Sequence, residues 1–192
     1  MSHLFTLDIV VHCRTKSEAE KLRSVIDERL VCCGLQLHSD KTKIIYCKDS
    51  NRRKDHPHYS FDFLGYTFRP RKAVNKRGEY FISFTPAVSN YAAKLMRKRL
   101  KLWLLHRQVS KSLEEIAEMI NPTLRGWINY YGRYYPSALT ETFTVLNRRL
   151  AKWASRKYKG MRGRKSRASK WLAMMVIKQP TLFAHWKISV HW

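Results

Sequence analysis

The chain has 192 residues, 44% of them hydrophobic, and a formal net charge of +24. That is enough for one compact domain or two small ones, while the longest apolar runs, such as LAMMVI at 172–177, fall far short of a membrane span. The N-terminus lacks a basic stretch followed by an apolar one, so no secretory signal is read; four cysteines (Cys13, Cys32, Cys33, Cys47) without a C-x-x-C pair indicate reduced thiols in a cytoplasmic protein rather than a disulfide framework or zinc knuckle.

In chain order, TLDIVVHC (6–13) predicts a buried strand headed by Asp8. Residues 15–33 predict a helix capped by Thr15 or Ser17, with Leu22, Val25, Ile26 and Leu30 on one face and Gly34 as its stop. KIIYCKD (43–49) reads as a second strand, and SNRRKDHPHY (50–59) as a polar loop. Two short strands and one helix cannot cover both faces of a sheet, so this segment reads as a remnant with an open edge and an apolar face. FDFLGYTFRP (61–70) and EYFISFTP (79–86) read as aromatic strands of a hairpin turning at NKRG, 75–78.

Beyond Pro86 the pattern is helical. Ser89 can cap a helix whose apolar face is Ala92, Leu95, Met96, Trp103 and Leu104. Ser112 with Glu115 forms a capping box, and Asn121-Pro122 predicts a break and a restart. Leu139, Phe143, Leu146, Leu150 and Trp153 form an amphipathic stripe in a helix beginning near Ser137. KYKGMRGRKSRASK (157–170) is a basic connector, followed by a helix over WLAMMVIKQ and the aromatic tail LFAHWKISVHW.

The charge is uneven. Residues 1–50 hold eight Lys/Arg against seven Asp/Glu, whereas 51–192 hold thirty against seven, and no acid follows Glu141. Such asymmetry predicts a polyanionic partner for the helical part. Aromatics interleaved with the cations favour nucleic acid over a membrane surface. Two basic faces stand out: Lys94, Arg97, Lys98, Lys101 and Arg107, then Arg148, Arg149, Lys152 and Arg156. In RGWINYYGRYY, most rings read as core, leaving Arg125, Asn129 and Arg133 as candidate contacts. The eight histidines show no metal-ligand spacing with cysteine, and a zinc role for His56 and His58 is not expected.

Four blocks in order, DIVVHC at 8–13, CGLQLHSDKTKIIYC at 33–47, FDFLGYTF at 61–68 and INPTLRGWINYYGRYY at 120–135, resemble bacterial group II intron-encoded reverse transcriptases with maturase activity. The resemblance implies an α+β chain: the end of a polymerase palm with its FLGY hairpin (1–86), a mostly α-helical thumb or maturase-specific domain (87–160), and a basic C-terminal helix and tail (161–192). The fingers and most of the palm would then lie upstream of Met1. No H-N-H-like endonuclease pattern follows the thumb.

The resemblance also implies functions. The parent activity would be RNA-directed DNA synthesis with Mg²⁺, coupled to binding the intron of a mobile element and assisting its RNA splicing. Phe63, Leu64, Gly65 and Tyr66 would support a primer–template, although an aromatic strand packed on its own core explains them equally. The family's paired aspartates correspond here to Leu7 and Asp8, so one carboxylate is lost. Two-metal phosphoryl transfer needs several carboxylates. No intact metal site and no polymerase activity are therefore expected of this chain alone, and RNA binding itself needs no cofactor. A split polymerase completed by an upstream polypeptide, and a general basic nucleic-acid-binding protein, are the alternatives.

Overall fold

The computed structural model describes residues 8–52 and 54–188. Leu7, His3 and His191 lie outside the described residues. The chain divides into two compact units, one comprising residues up to 63 together with 69–84, the other 64–68 together with 85 onwards.

The first unit contains α1 (Lys16–Cys32). Thr15 caps it by accepting from the Glu18 N–H, and Glu18 in turn accepts from the Arg14 N–H at 2.8 Å. At the far end Gly34 N–H donates to Val31 and Leu35 N–H to Leu30, the paired bonds of a Schellman stop. Gly34, at φ 71°, takes the left-handed conformation this needs. Yet α1 buries none of its residues; Leu22, Ile26 and Leu30 are half-exposed and Val25 is exposed.

The expected strands at 8–13 and 43–49 do not form. Ile9, Val10 and Val11 are 56%, 41% and 51% exposed, so the strand at Asp8 is corrected to exposed chain without a ladder. A strand is held by its neighbour's backbone groups, and β-propensity alone does not supply one.

The sheet is three-stranded and antiparallel, in order β1 (Phe61–Phe63), β2 (Tyr66–Val74), β3 (Tyr80–Val88). The predicted long strand 61–70 is interrupted: Leu64 and Gly65, at φ 48° and 79°, make a two-residue turn with both centres left-handed. The second turn is where expected. Asn75 accepts on its side-chain oxygen from the Arg77 and Glu79 N–H groups, and Gly78 sits at φ 83°. Helices and sheet are segregated along the chain, which makes the fold class α+β.

The second unit holds the core. It contains α2 (Asn90–Leu102), α3 (Leu113–Tyr131), α4 (Thr140–Lys157) and α5 (Lys165–Lys178). Ser89 caps α2 and Ser112 with Glu115 closes a reciprocal capping box on α3. The predicted stripe on α4 is entirely buried, Leu139, Phe143, Leu146, Leu150 and Trp153 all being at 0% exposure.

Two expectations fail here. The α2 face is Ala92, Ala93, Met96 and Leu100, while Leu95 is exposed. The helix stops at Leu102, and Leu104 turns outward at φ 48°. Asn121-Pro122 does not break the chain either: α3 runs through it. An interior proline costs ~3 kcal/mol or more. Ile116, Ile120 and Leu124, one helical turn apart and fully buried, each contribute ~1.5–3 kcal/mol, which outweighs that cost.

The aromatic tail completes this core. Phe183, His185 and Trp186 are buried beside α3 and α4. Asn121 donates to the Leu182 carbonyl and accepts from the Ala184 N–H, at 2.8 and 2.9 Å. Asn147 accepts from Trp186 Nε1 and bonds His185 Nε2. Each buried amide thus satisfies a polar group that the tail carries inward.

Candidate nucleic-acid interface

The segment joining α2 to α3 is short on secondary structure but closely held. Leu104, in the left-handed region, starts a 3-10 turn, Leu105–Arg107, whose Leu105 is buried. Gln108 Nε2 donates to the Trp103 carbonyl at 2.8 Å, and Trp153 Nε1 donates to the Gln108 carbonyl at 2.9 Å. Lys157 Nζ reaches the carbonyls of Val109 and Lys111 at 3.0 and 2.7 Å and lies over the Trp153 ring. A lysine so used is a structural donor, with its charge spent on backbone oxygens.

This packing presents His106 and Arg107 to the basic face of α4. Arg156 Nη1 donates to the His106 carbonyl at 3.3 Å. His106 is half-buried, and Arg156, Lys152, Arg107 and Arg149 all act on it electrostatically. Partial burial first, then these four cations, hold its pKa below the ordinary 6.5. Arg107, Lys152 and Arg156 are exposed, and Arg149 is half-buried with its Nε lacking a hydrogen-bond partner among the described residues. Arg148 is exposed one residue before Arg149.

The other predicted cations fall on two further surfaces of this unit. Lys94, Lys98 and Lys101 are exposed on α2 at helical spacing. Arg97 is half-buried and pairs with Glu141 at 3.4 Å, which reduces its availability to another anion. Arg125, Asn129 and Arg133 are exposed on or just beyond α3, four residues apart, and the Arg133 guanidinium lies 5.8 Å from the Tyr134 ring centre. Against the twenty-two Lys and Arg of residues 85–192 stand four acids, Glu114, Glu115, Glu118 and Glu141.

The FLGY turn is bound to α3 rather than open. Tyr66 is buried, with the rings of Tyr130, Tyr131 and Tyr134 at 5.2, 5.3 and 6.1 Å. Its hydroxyl donates to the Tyr130 carbonyl, and the Tyr130 hydroxyl donates to the Leu64 carbonyl at 3.0 Å. A Cβ on Gly65 would sit 2.7 Å from the Tyr131 hydroxyl, so glycine is needed for close approach as well as for φ. Of the four candidate primer–template residues, Tyr66 and Gly65 therefore face the protein's own aromatics, Phe63 is half-buried, and Leu64 is exposed. Tyr130 and Tyr134 are more exposed than core rings are expected to be.

Asp8 is exposed, and among the described residues no group of three His, Cys, Asp or Glu could hold a metal ion. A single carboxylate does not fit a pair of Mg²⁺ ions. All four cysteines are free, Cys32 and Cys33 being exposed. Among the described residues no helix is long and apolar enough to cross a membrane.

Residues 93–171 match the family model of the group II intron maturase-specific domain. The chain carries a group II intron maturase-specific domain. No curated protein and no solved structure matches the chain at a significant level. The matched maturase segment holds every candidate RNA-contact residue from Lys94 to Arg156, together with the loop that carries His106. The FLGY turn precedes it and the buried tail follows it, yet both pack on its helices.

Several contributors were missed in sequence. His106 stands in the sequence as one of eight histidines without metal spacing, although an HR pair directly after two leucines is a visible sign of a polar tip on a buried anchor. Asn121 and Asn147, each amid residues of an apolar face, were readable as buried amides needing partners. The partners themselves, sixty-one and thirty-nine residues away in the tail, were not.

Proposed function

We propose that the maturase-specific domain binds group II intron RNA through its exposed basic faces and assists splicing by stabilising the folded intron. The observation that carries this reading is the cation-rich face of the maturase unit: Arg107, Arg149, Lys152 and Arg156 gather where a clamped loop meets α4 and are the strongest charges acting on His106. A surface that concentrates like charge is electrostatically costly alone and favourable against phosphates. The RNA would supply the splicing chemistry, and the protein would lower the free energy of its active shape. The exposed rings of Tyr130 and Tyr134, beside Arg133, suit unstacked bases of such an RNA. The setting is the cytoplasm, and primer–template support by the FLGY turn is limited to what exposed Leu64 can offer. No DNA-synthesis step is assigned to this chain.

The test is equilibrium binding of the full chain to a transcribed group II intron RNA across a salt series, with unrelated structured RNA and duplex DNA as competitors. Some six to ten phosphate contacts would lower affinity about 10³–10⁵-fold between 50 and 200 mM salt. A preference for the intron that persists at moderate salt supports the maturase reading. A steep salt slope with equal affinity for all three nucleic acids overturns it in favour of a general polycation.

A further inference from the structure

We propose that the His106 cluster is a proton-linked phosphate site, in which an RNA phosphodiester seated among Arg107, Arg149, Lys152 and Arg156 is bound together with a proton on His106. This deepens the RNA-binding reading and rests on it.

The geometry is preformed. The Leu105–Arg107 turn is held by Leu105 in the core and by the Gln108, Trp153 and Lys157 hydrogen bonds on the residues around it. Arg156 is fixed to the His106 backbone carbonyl. The largest charge effects on the imidazole come from its own turn, Arg107, and from α4, Arg156, Lys152 and Arg149, each a cation. Arg149 adds a buried Nε that still lacks an acceptor among the described residues. Four cations acting together on one half-buried histidine are complementary to a compact anion.

The coupling follows from electrostatics. In the free protein partial desolvation, and then the cations, disfavour the imidazolium and hold His106 toward its neutral form. A phosphodiester placed among the same cations cancels their repulsion and adds an attractive charge of its own. The histidine pKa must then rise, and binding takes up a proton from solvent, with no covalent bond made or broken. Because the bound state holds the proton more tightly, affinity rises as pH falls through the bound-state pKa. It levels off below the free-state pKa, which lies under 6.5. One linked proton gives at most about a tenfold change per pH unit.

The experiment uses the full chain and the same intron RNA at fixed ionic strength from pH 5.5 to 8.5, comparing the native protein with His106→Gln and with Lys98→Gln on α2. The native protein and Lys98→Gln should gain about three- to tenfold in affinity between pH 8 and pH 6 beyond any change shown by His106→Gln. As a measurement independent of the variant, NMR titration of the native His106 ring should give a higher pKa with RNA bound than without. Identical pH profiles for native and His106→Gln proteins, or an unmoved His106 titration, overturn the proposal while leaving RNA binding intact. Absence of RNA binding at every pH removes the RNA reading and this proposal together.

Discussion

Acidification should unfold the maturase unit by way of His185. The ring is fully buried between Phe143, Phe183 and Trp186, with centroid distances of 5.2, 5.7 and 6.1 Å. Nε2 lies 2.8 Å from Asn147 Oδ1, which also accepts from Trp186 Nε1, so Nε2 carries the hydrogen and Nδ1 is bare. Nδ1 has no partner among the described residues, and a second proton there would meet no acceptor. Burial accordingly pushes the pKa from 6.5 down to about 3. Since the unfolded chain takes the proton first, this contribution to stability is complete above pH 6.5 and is lost as pH falls toward 3. The loss is about 1.4 kcal/mol per pH unit, reaching roughly 5 kcal/mol, against a total stability of ~5–15 kcal/mol for a domain. Urea unfolding at pH 7, 6, 5 and 4.5, followed by tryptophan fluorescence, measures it for the native chain and for His185→Phe. Phenylalanine preserves the aromatic packing and leaves Asn147 its bond from Trp186. Other acid-titrating groups cancel in the difference between the two slopes. The native protein should lose about 1 kcal/mol per pH unit more than the variant below pH 6. Parallel slopes would refute the reasoning.

Two other substitutions probe the joints of this unit. Gly65→Ala forces a left-handed alanine against the Tyr131 hydroxyl, and should cost about 1–2 kcal/mol in urea unfolding; Tyr131→Phe in the same chain should restore part of that loss, and no recovery would exclude the steric explanation. Asn121→Leu strips the Leu182 carbonyl and Ala184 N–H of their partners, costing about 1–3 kcal/mol for each group left unsatisfied. Faster hydrogen exchange at Ala184, with the α3 amides still protected, is the expected signature, and unchanged exchange would show the tail is held without it.

Much of the helical part was legible because local chemistry and burial agree. The Ser112–Glu115 box and the Leu139–Trp153 stripe each combine a short-range hydrogen bond or a strict period with a matching environment. The strand at Asp8 was misread because its apolar run satisfies a propensity but meets no partner in the described chain. Pro122 was misread for the opposite reason: the local cost is real, and burial of Ile116, Ile120 and Leu124 exceeds it.

Composition by itself determined that the helical part is strongly cationic and therefore suited to a polyanion, since net charge is additive along the chain. The helical period, being local, also placed Lys94, Lys98 and Lys101 on one helix and Arg148, Arg149, Lys152 and Arg156 on another. Only the tertiary structure decided which cations remain available. Arg97 faces Glu141, Lys157 is committed to loop carbonyls, and Arg107, Arg149, Lys152 and Arg156 act together on His106. Convergence of charge depends on distances between residues some fifty positions apart, and those distances are set by how the core packs.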